Sequence, residues 1–129
     1  MNNPVIPVSE TQVQISIIEF LRAVLPAVEV VHVPNQGQRS LWFAQLLKRL
    51  GMRTGAADLI VFVPQRVICI EVKRPASPGK RKGVESDAQI DFGLSLNALG
   101  HTYIVAYSVD DVRKALVTLG IPTREVREA

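Results

Sequence analysis

Asp58, Glu71 and Lys73 are the residues of this chain whose types and spacing could do chemistry. They punctuate one stretch, D-L-I-V-F-V-P-Q-R-V-I-C-I-E-V-K, in which the apolar runs Leu59 to Val63 and Val67 to Ile70 are separated by a short connection containing Pro64. The pattern predicts a strand, a tight turn and a second strand. If the strands pair antiparallel, Asp58 and Glu71 become neighbours at one end of the hairpin. Alternation then puts Glu71 and Lys73 on one face, with Ile70 and Val72 on the other. Two carboxylates about 4 Å apart repel by roughly 4 kcal/mol at an effective dielectric of 20, so the pair must be neutralised. Three outcomes are open: an ion pair with Lys73, a proton retained by one acid, or a divalent cation bound to both.

The elements that must position these groups follow from the flanking sequence. Ser9 and Gln12 have capping-box spacing, and Val13, Ile17, Leu21 and Val24 repeat at helical intervals, so a first helix runs from Ser9 until Pro26 ends it at about Leu25. Val28 to Val33 reads as a strand. Pro34 to Ser40 is a polar loop, Leu41 to Leu50 a short helix stopped by Gly51, and Met52 to Ala57 an ordered connection over the hairpin end. Pro75 to Gly83, with two prolines, two glycines and three consecutive basic residues, has the composition of a mobile loop. Ser86 and Gln89 open another helix passing Ile90 and Leu94 toward Gly100, Tyr103 to Tyr107 is the last strand, and Ser108 caps a final helix to about Leu119. The expected order is αβαββαβα: a mixed α/β sheet of about four strands with helices on both faces. Residues 1–8 are expected as a loose lead-in, 9–121 as a single domain and 122–129 as a tail.

Composition narrows the class. The 129 residues, 47% hydrophobic and 21% charged, suit one globular domain. A net charge of +3 matters less than its placement, because Lys73, Arg74, Lys80, Arg81 and Lys82 fall in one segment that suits an acidic partner or a solvated loop. The single cysteine, Cys69, lies inside an apolar strand where an inert thiol belongs, and no Cys/His spacing suits zinc. No signal-peptide pattern or membrane-length apolar run is present, so a cytoplasmic location is expected, in the host cytoplasm if the chain is phage-encoded.

The pattern G-A-A-D-L-I-V-F-V followed by I-C-I-E-V-K resembles the bipartite motif of the PD-(D/E)xK nuclease superfamily. Together with Glu10, Val13 and Ile17, the His32 to Arg39 loop H-V-P-N-Q-G-Q-R, Lys48 to Gly51, Ser86 with Gln89, and Gly100 to Tyr103, it is similar to the small stand-alone VRR-NUC domains of phage and bacterial genomes. One departure is Ala57, where that family usually has proline before the acid. The resemblance implies a restriction-endonuclease-like core and metal-dependent hydrolysis of DNA phosphodiester bonds, selective for structure such as flaps and junctions. It implies that Asp58, Glu71, the Val72 carbonyl and Glu10 hold Mg²⁺ or Mn²⁺. Asp58, Glu71, Lys73, Glu10 and Gln89 become the catalytic set, and Asn35, Arg39, Arg74, Lys80, Arg81 and Lys82 become nucleic-acid contacts. Glu10 and Gln89 each have a local alternative, helix-dipole stabilisation and a capping box respectively.

His32 reads more readily as a hydrogen-bonded structural histidine, and Trp42 and Phe43 as core or subunit interface. A homodimer is expected, since one site cuts one strand. The competing reading is a catalytically silent nucleic-acid-binding or scaffolding module of the same fold; an ordinary α/β domain with a structural ion pair is a third.

Overall fold

A computed structural model describes residues 9–34 and 40–125. Four helices and four strands follow in the expected order: α1 (Glu10–Val24), β1 (Glu29–His32), α2 (Leu41–Arg49), β2 (Leu59–Val63), β3 (Arg66–Val72), α3 (Asp87–Ala98), β4 (Thr102–Ala106) and α4 (Val109–Thr118). The sheet order is β1-β2-β3-β4, antiparallel at the first two junctions and parallel between β3 and β4. β3 runs past Ile70 through Val72, because β4 supplies a second edge: Glu71 pairs with Val105 and Val72 with Ala106, and the Lys73 N–H donates to the Ala106 carbonyl at 2.9 Å. The mixed sheet thus grips the main chain of all the chemistry-bearing residues on β3.

The two faces of β3 differ. Ile68, Ile70 and Val72 turn into the main core with Leu59, Val61 and Val63 of β2, under Val13, Ile17, Leu21 and Val24 of α1 and Val112 and Leu116 of α4. The helical repeat predicted for α1 is the stripe it buries. Both capping boxes close: the Ser9 and Ser86 hydroxyls accept from the Gln12 and Gln89 N–H groups, and each glutamine accepts the serine N–H in return.

Cys69, Glu71 and Tyr103 share the opposite face, against which α3 packs. The apolar positions Ile90 and Leu94 of α3 remain exposed; the helix meets the sheet through Gly93, which lies directly on the Tyr103 ring. Phe62 and Val31, farther along the same sheet face, stay open. α2 buries none of its residues fully: Trp42 is 70% exposed and Phe43 42%, so neither is core of this chain.

Two connections are tighter than their composition suggests. Pro75 to Gly83 is closed by hydrogen bonds between Ser77 and Lys80 and by the Gly83 N–H on the Arg74 carbonyl at 2.8 Å. Its polar backbone finds partners within the loop, which the count of prolines and glycines could not reveal. Beyond α4, Arg124 donates its N–H to the Val24 carbonyl, docking the described part of the tail on the end of α1. Residues 1–8 and 126–129 lie outside the described residues.

Gly55 (φ +85°) matters most for the site. A Cβ there would stand 2.3 Å from the Ala88 main chain and 2.7 Å from the Gln89 nitrogen, so the loop before Asp58 presses on the first turn of α3. Gly55→Ala combines overpacking with a left-handed alanine, and is expected to lose about 3 kcal/mol in urea denaturation. Gly93→Ala, whose Cβ would meet the Tyr103 ring at 2.6 Å, is expected to lose about 1–3 kcal/mol.

Candidate active site

The antiparallel register sets Leu59 beside Ile70, so the next residues outward, Asp58 and Glu71, stand side by side where β2 begins and β3 ends. Asp58 is held from both ends. Its Oδ2 accepts the Val72 N–H at 2.8 Å, and its carbonyl accepts the Val33 N–H at 2.8 Å. The Nδ1 of His32 lies 3.1 Å from that carbonyl and 3.0 Å from Nε2 of Gln14 on α1. Nδ1 donates to the carbonyl when protonated and accepts from Gln14 when not, so His32 has a hydrogen-bond partner in either tautomer, as expected of a structural histidine.

Glu71 is 1% exposed and Lys73 8%. Burying a carboxylate costs several kcal/mol unless charge or hydrogen bonds compensate. Glu71 Oε1 meets both available donors, Gln89 Nε2 at 2.7 Å and Lys73 Nζ at 3.5 Å. Its other oxygen, Oε2, is buried and meets no donor among the described residues. Burial, and next the charge of Asp58, push the Glu71 carboxyl up to about 8 despite Lys73 pulling it down. Of the three ways to neutralise the pair, Lys73 therefore supplies only part.

Gln89 makes the local cap and also a contact in the candidate site. Its Oε1 accepts the Ser86 N–H at 2.8 Å to complete the capping box, while its Nε2 reaches Glu71. An amide has a different function at each end, and the start of α3 points it at β3. Glu10 is not needed by the α1 cap, which Gln12 completes. It is half-buried and held above its ordinary pKa first by burial and then by Asp58, with Lys73 and Arg74 opposing, so it faces the same site. It stands back from the central pair: among the described residues no three His, Cys, Asp or Glu side chains converge closely enough to hold an ion by themselves.

The basic residues divide. Arg74 is half-buried, with one guanidinium nitrogen on the Arg81 carbonyl and its Nε without an acceptor among the described residues. Lys80, Arg81 and Lys82 are all exposed, and Lys82 Nζ lies 5.1 Å from the centroid of the Tyr107 ring. Asn35 and Arg39 lie outside the described residues.

Three participants were not assigned these contacts from the sequence. Gln14 braces His32, Gly55 sets α3, and Tyr103 donates its hydroxyl to Glu85 at 2.8 Å beneath α3. Burial, then that bond, drives the Tyr103 pKa far up, so the phenol remains a donor. Each contact joins elements remote in the chain. Only Gly55 offered a hint, as a glycine in a segment without apolar periodicity.

The arrangement offers two adjacent carboxylates, one of them deeply buried with a free oxygen, an ammonium group and a fixed amide, beside a basic loop. It can gather a cation and then a polyanion. No helix among the described residues is long and apolar enough to cross a membrane.

No family model matches the chain, and no curated protein does. Among solved structures it is similar to a VRR_NUC domain protein, at 21% identity and a TM-score of 0.66, over 88% of this chain and 89% of that one. At that identity the likeness is one of architecture: the chain has the fold of a VRR_NUC domain protein, a mixed four-stranded α/β sheet of restriction-endonuclease-like type.

Proposed function

We propose that this chain is a Mg²⁺- or Mn²⁺-dependent nuclease that hydrolyses phosphodiester bonds of DNA and selects substrates by structure, such as flaps or junctions, rather than by sequence. The observation that carries this reading is the meeting of Asp58, Glu71, Lys73 and Gln89 at one end of the β2–β3 hairpin, with a buried Glu71 oxygen that lacks a donor among the described residues. A hard divalent cation fits that donor set, since it would neutralise the paired acids and occupy the free oxygen. Asp58, Glu71 and the Val72 carbonyl would hold it, together with Glu10, which faces the same charges. When bound, the ion supplies a Lewis acid for the phosphoryl oxygen and makes water a better nucleophile.

The chain's own groups do the rest. Lys73, fixed against Glu71, orients the attacking water and stabilises charge developing on the phosphoryl group. Gln89 keeps Glu71 in one orientation. Arg74, whose Nε lacks an acceptor among the described residues, and exposed Lys80 and Arg81 suit backbone phosphates, as would Asn35 and Arg39 from the loop after β1. A second copy of the chain would supply the other cut of a two-strand reaction. The exposed Leu41, Trp42 and Phe43 of α2 are the apolar surface that supports such a homodimer.

Three outcomes are expected. With Mn²⁺ and a panel of single-stranded, duplex, flapped and four-way DNA, the parent cuts a branched substrate and Lys73→Ala loses about 10²-fold or more in rate. Equal cutting by the variant sinks the assignment, and salt-sensitive but metal-insensitive binding without cleavage of any substrate establishes a silent binding module instead.

The second concerns pH. The folded state keeps the Glu71 proton between its ordinary value of 4.5 and about 8, where the unfolded chain has released it. Stability of the metal-free protein therefore falls as pH rises through that interval, and Mn²⁺, which must displace the proton, stabilises more as pH rises. Melting curves from about pH 6 to pH 8.5 should show both trends in the parent, with Glu71→Gln flattening them.

Third, Trp42→Asp should shift the protein to monomer in sedimentation while leaving its melting temperature within about 3 °C. A monomeric parent removes the dimer.

A further inference from the structure

The segment Pro75 to Gly83 is a built strap, and it lies on Lys73. Gly83 sits against the lysine's stem: a Cβ on Gly83 would be 3.4 Å from Lys73 Cδ, 3.5 Å from its Cβ and 3.3 Å from the Arg74 nitrogen. The strap is closed at its base by the Gly83 N–H on the Arg74 carbonyl, at its tip by the Ser77–Lys80 pair, and across its middle by the Arg74 guanidinium on the Arg81 carbonyl. Tyr107, which follows β4, fastens it from outside. The phenol donates to the Gly83 carbonyl at 3.1 Å, the ring receives the Lys82 ammonium at 5.1 Å, and the Tyr107 N–H is fixed on Asp111 Oδ2 at 2.9 Å.

We infer that Tyr107 and Lys82 are positioning residues for Lys73, acting through the strap, and that Lys80 and Arg81 alone of the basic run meet the nucleic-acid backbone. A lysine has four rotatable bonds in its side chain, and an ammonium that must act at one point needs its stem confined. β3 and β4 fix the Lys73 main chain, Glu71 takes its tip, and Gly83 closes the remaining side. A Cβ at Gly83 would stand at ordinary contact distance from that stem, so the strap passes the lysine with less than one methyl group of space between them. All three side chains of the run are exposed, and of the three it is Lys82 whose ammonium lies over the Tyr107 ring. The run K-R-K thus divides into two residues that face a polyanion and one that holds the strap down.

The assignment rests on the nuclease reading, and its test separates the two. DNA binding is measured in EDTA as a function of salt, cleavage is measured with Mn²⁺ at saturating protein, and hydrogen exchange is followed over residues 75–83. Lys80→Ala and Arg81→Ala should each lower the salt slope by about 0.7–0.9. Lys82→Ala should leave the slope unchanged, speed exchange in the strap and slow saturated cleavage about fivefold, the effect of one lost contact of roughly 1 kcal/mol, with Lys82→Arg restoring both. Tyr107→Phe, which keeps the ring and loses only the hydroxyl, should loosen the strap and slow cleavage similarly without moving the slope.

A slope reduced in Lys82→Ala as much as in Lys80→Ala, with exchange and saturated rate untouched, overturns the division. If the parent binds and cuts no DNA, the nuclease reading fails and the positioning role with it; exchange in Lys82→Ala and Tyr107→Phe still decides whether these residues hold the strap.

Discussion

Asp58 and Glu71 are side by side at the end of a hairpin, and Glu71 is almost wholly out of water. Nearly everything around them can be read as a response to that electrostatic cost. The Val72 N–H turns to Asp58, the Gln89 amide and the Lys73 ammonium turn to one oxygen of Glu71, and the other oxygen is left without a donor among the described residues. A structure built only for stability would replace such a pair with apolar residues at little loss or some gain. Here the sheet does the reverse. It uses antiparallel pairing to bring the acids together and parallel pairing to hold the following lysine, so the repulsion is maintained by the same hydrogen bonds that make the core.

Much of the fold was legible because its signals are local. The capping pairs Ser9/Gln12 and Ser86/Gln89 mark both helix starts, and the stripe from Val13 to Val24 is the buried face of α1. Alternation along β3 placed Glu71 and Lys73 opposite Ile70 and Val72, and the short Pro64 connection fixed which acid meets which. The hairpin's share of the candidate site was legible for the same reason.

What was not legible depends on contacts between distant elements. Ile90 and Leu94 lie on α3 as an apolar pair yet are exposed, because the helix approaches the sheet through Gly93 and Tyr103, closer than large side chains would permit. The proline- and glycine-rich segment after Arg74 reads as loose, but its carbonyls and the Tyr107 ring complete one another across 24 residues of chain. Trp42 and Phe43 have the character of core residues and are not core. Periodicity tells which side of a helix is apolar; it says nothing of what, if anything, covers it.

The two-ended use of Gln89 makes the first turn of α3 a thermodynamic partner of the site. One amide completes the helix start and holds the buried carboxylate, so fraying of that turn takes one of the two donors from Glu71 Oε1. Helix ends open at far smaller free energies than whole domains unfold. A local equilibrium at Ser86 to Gln89 thus changes how many donors the buried acid has, and global stability can remain untouched while it does so.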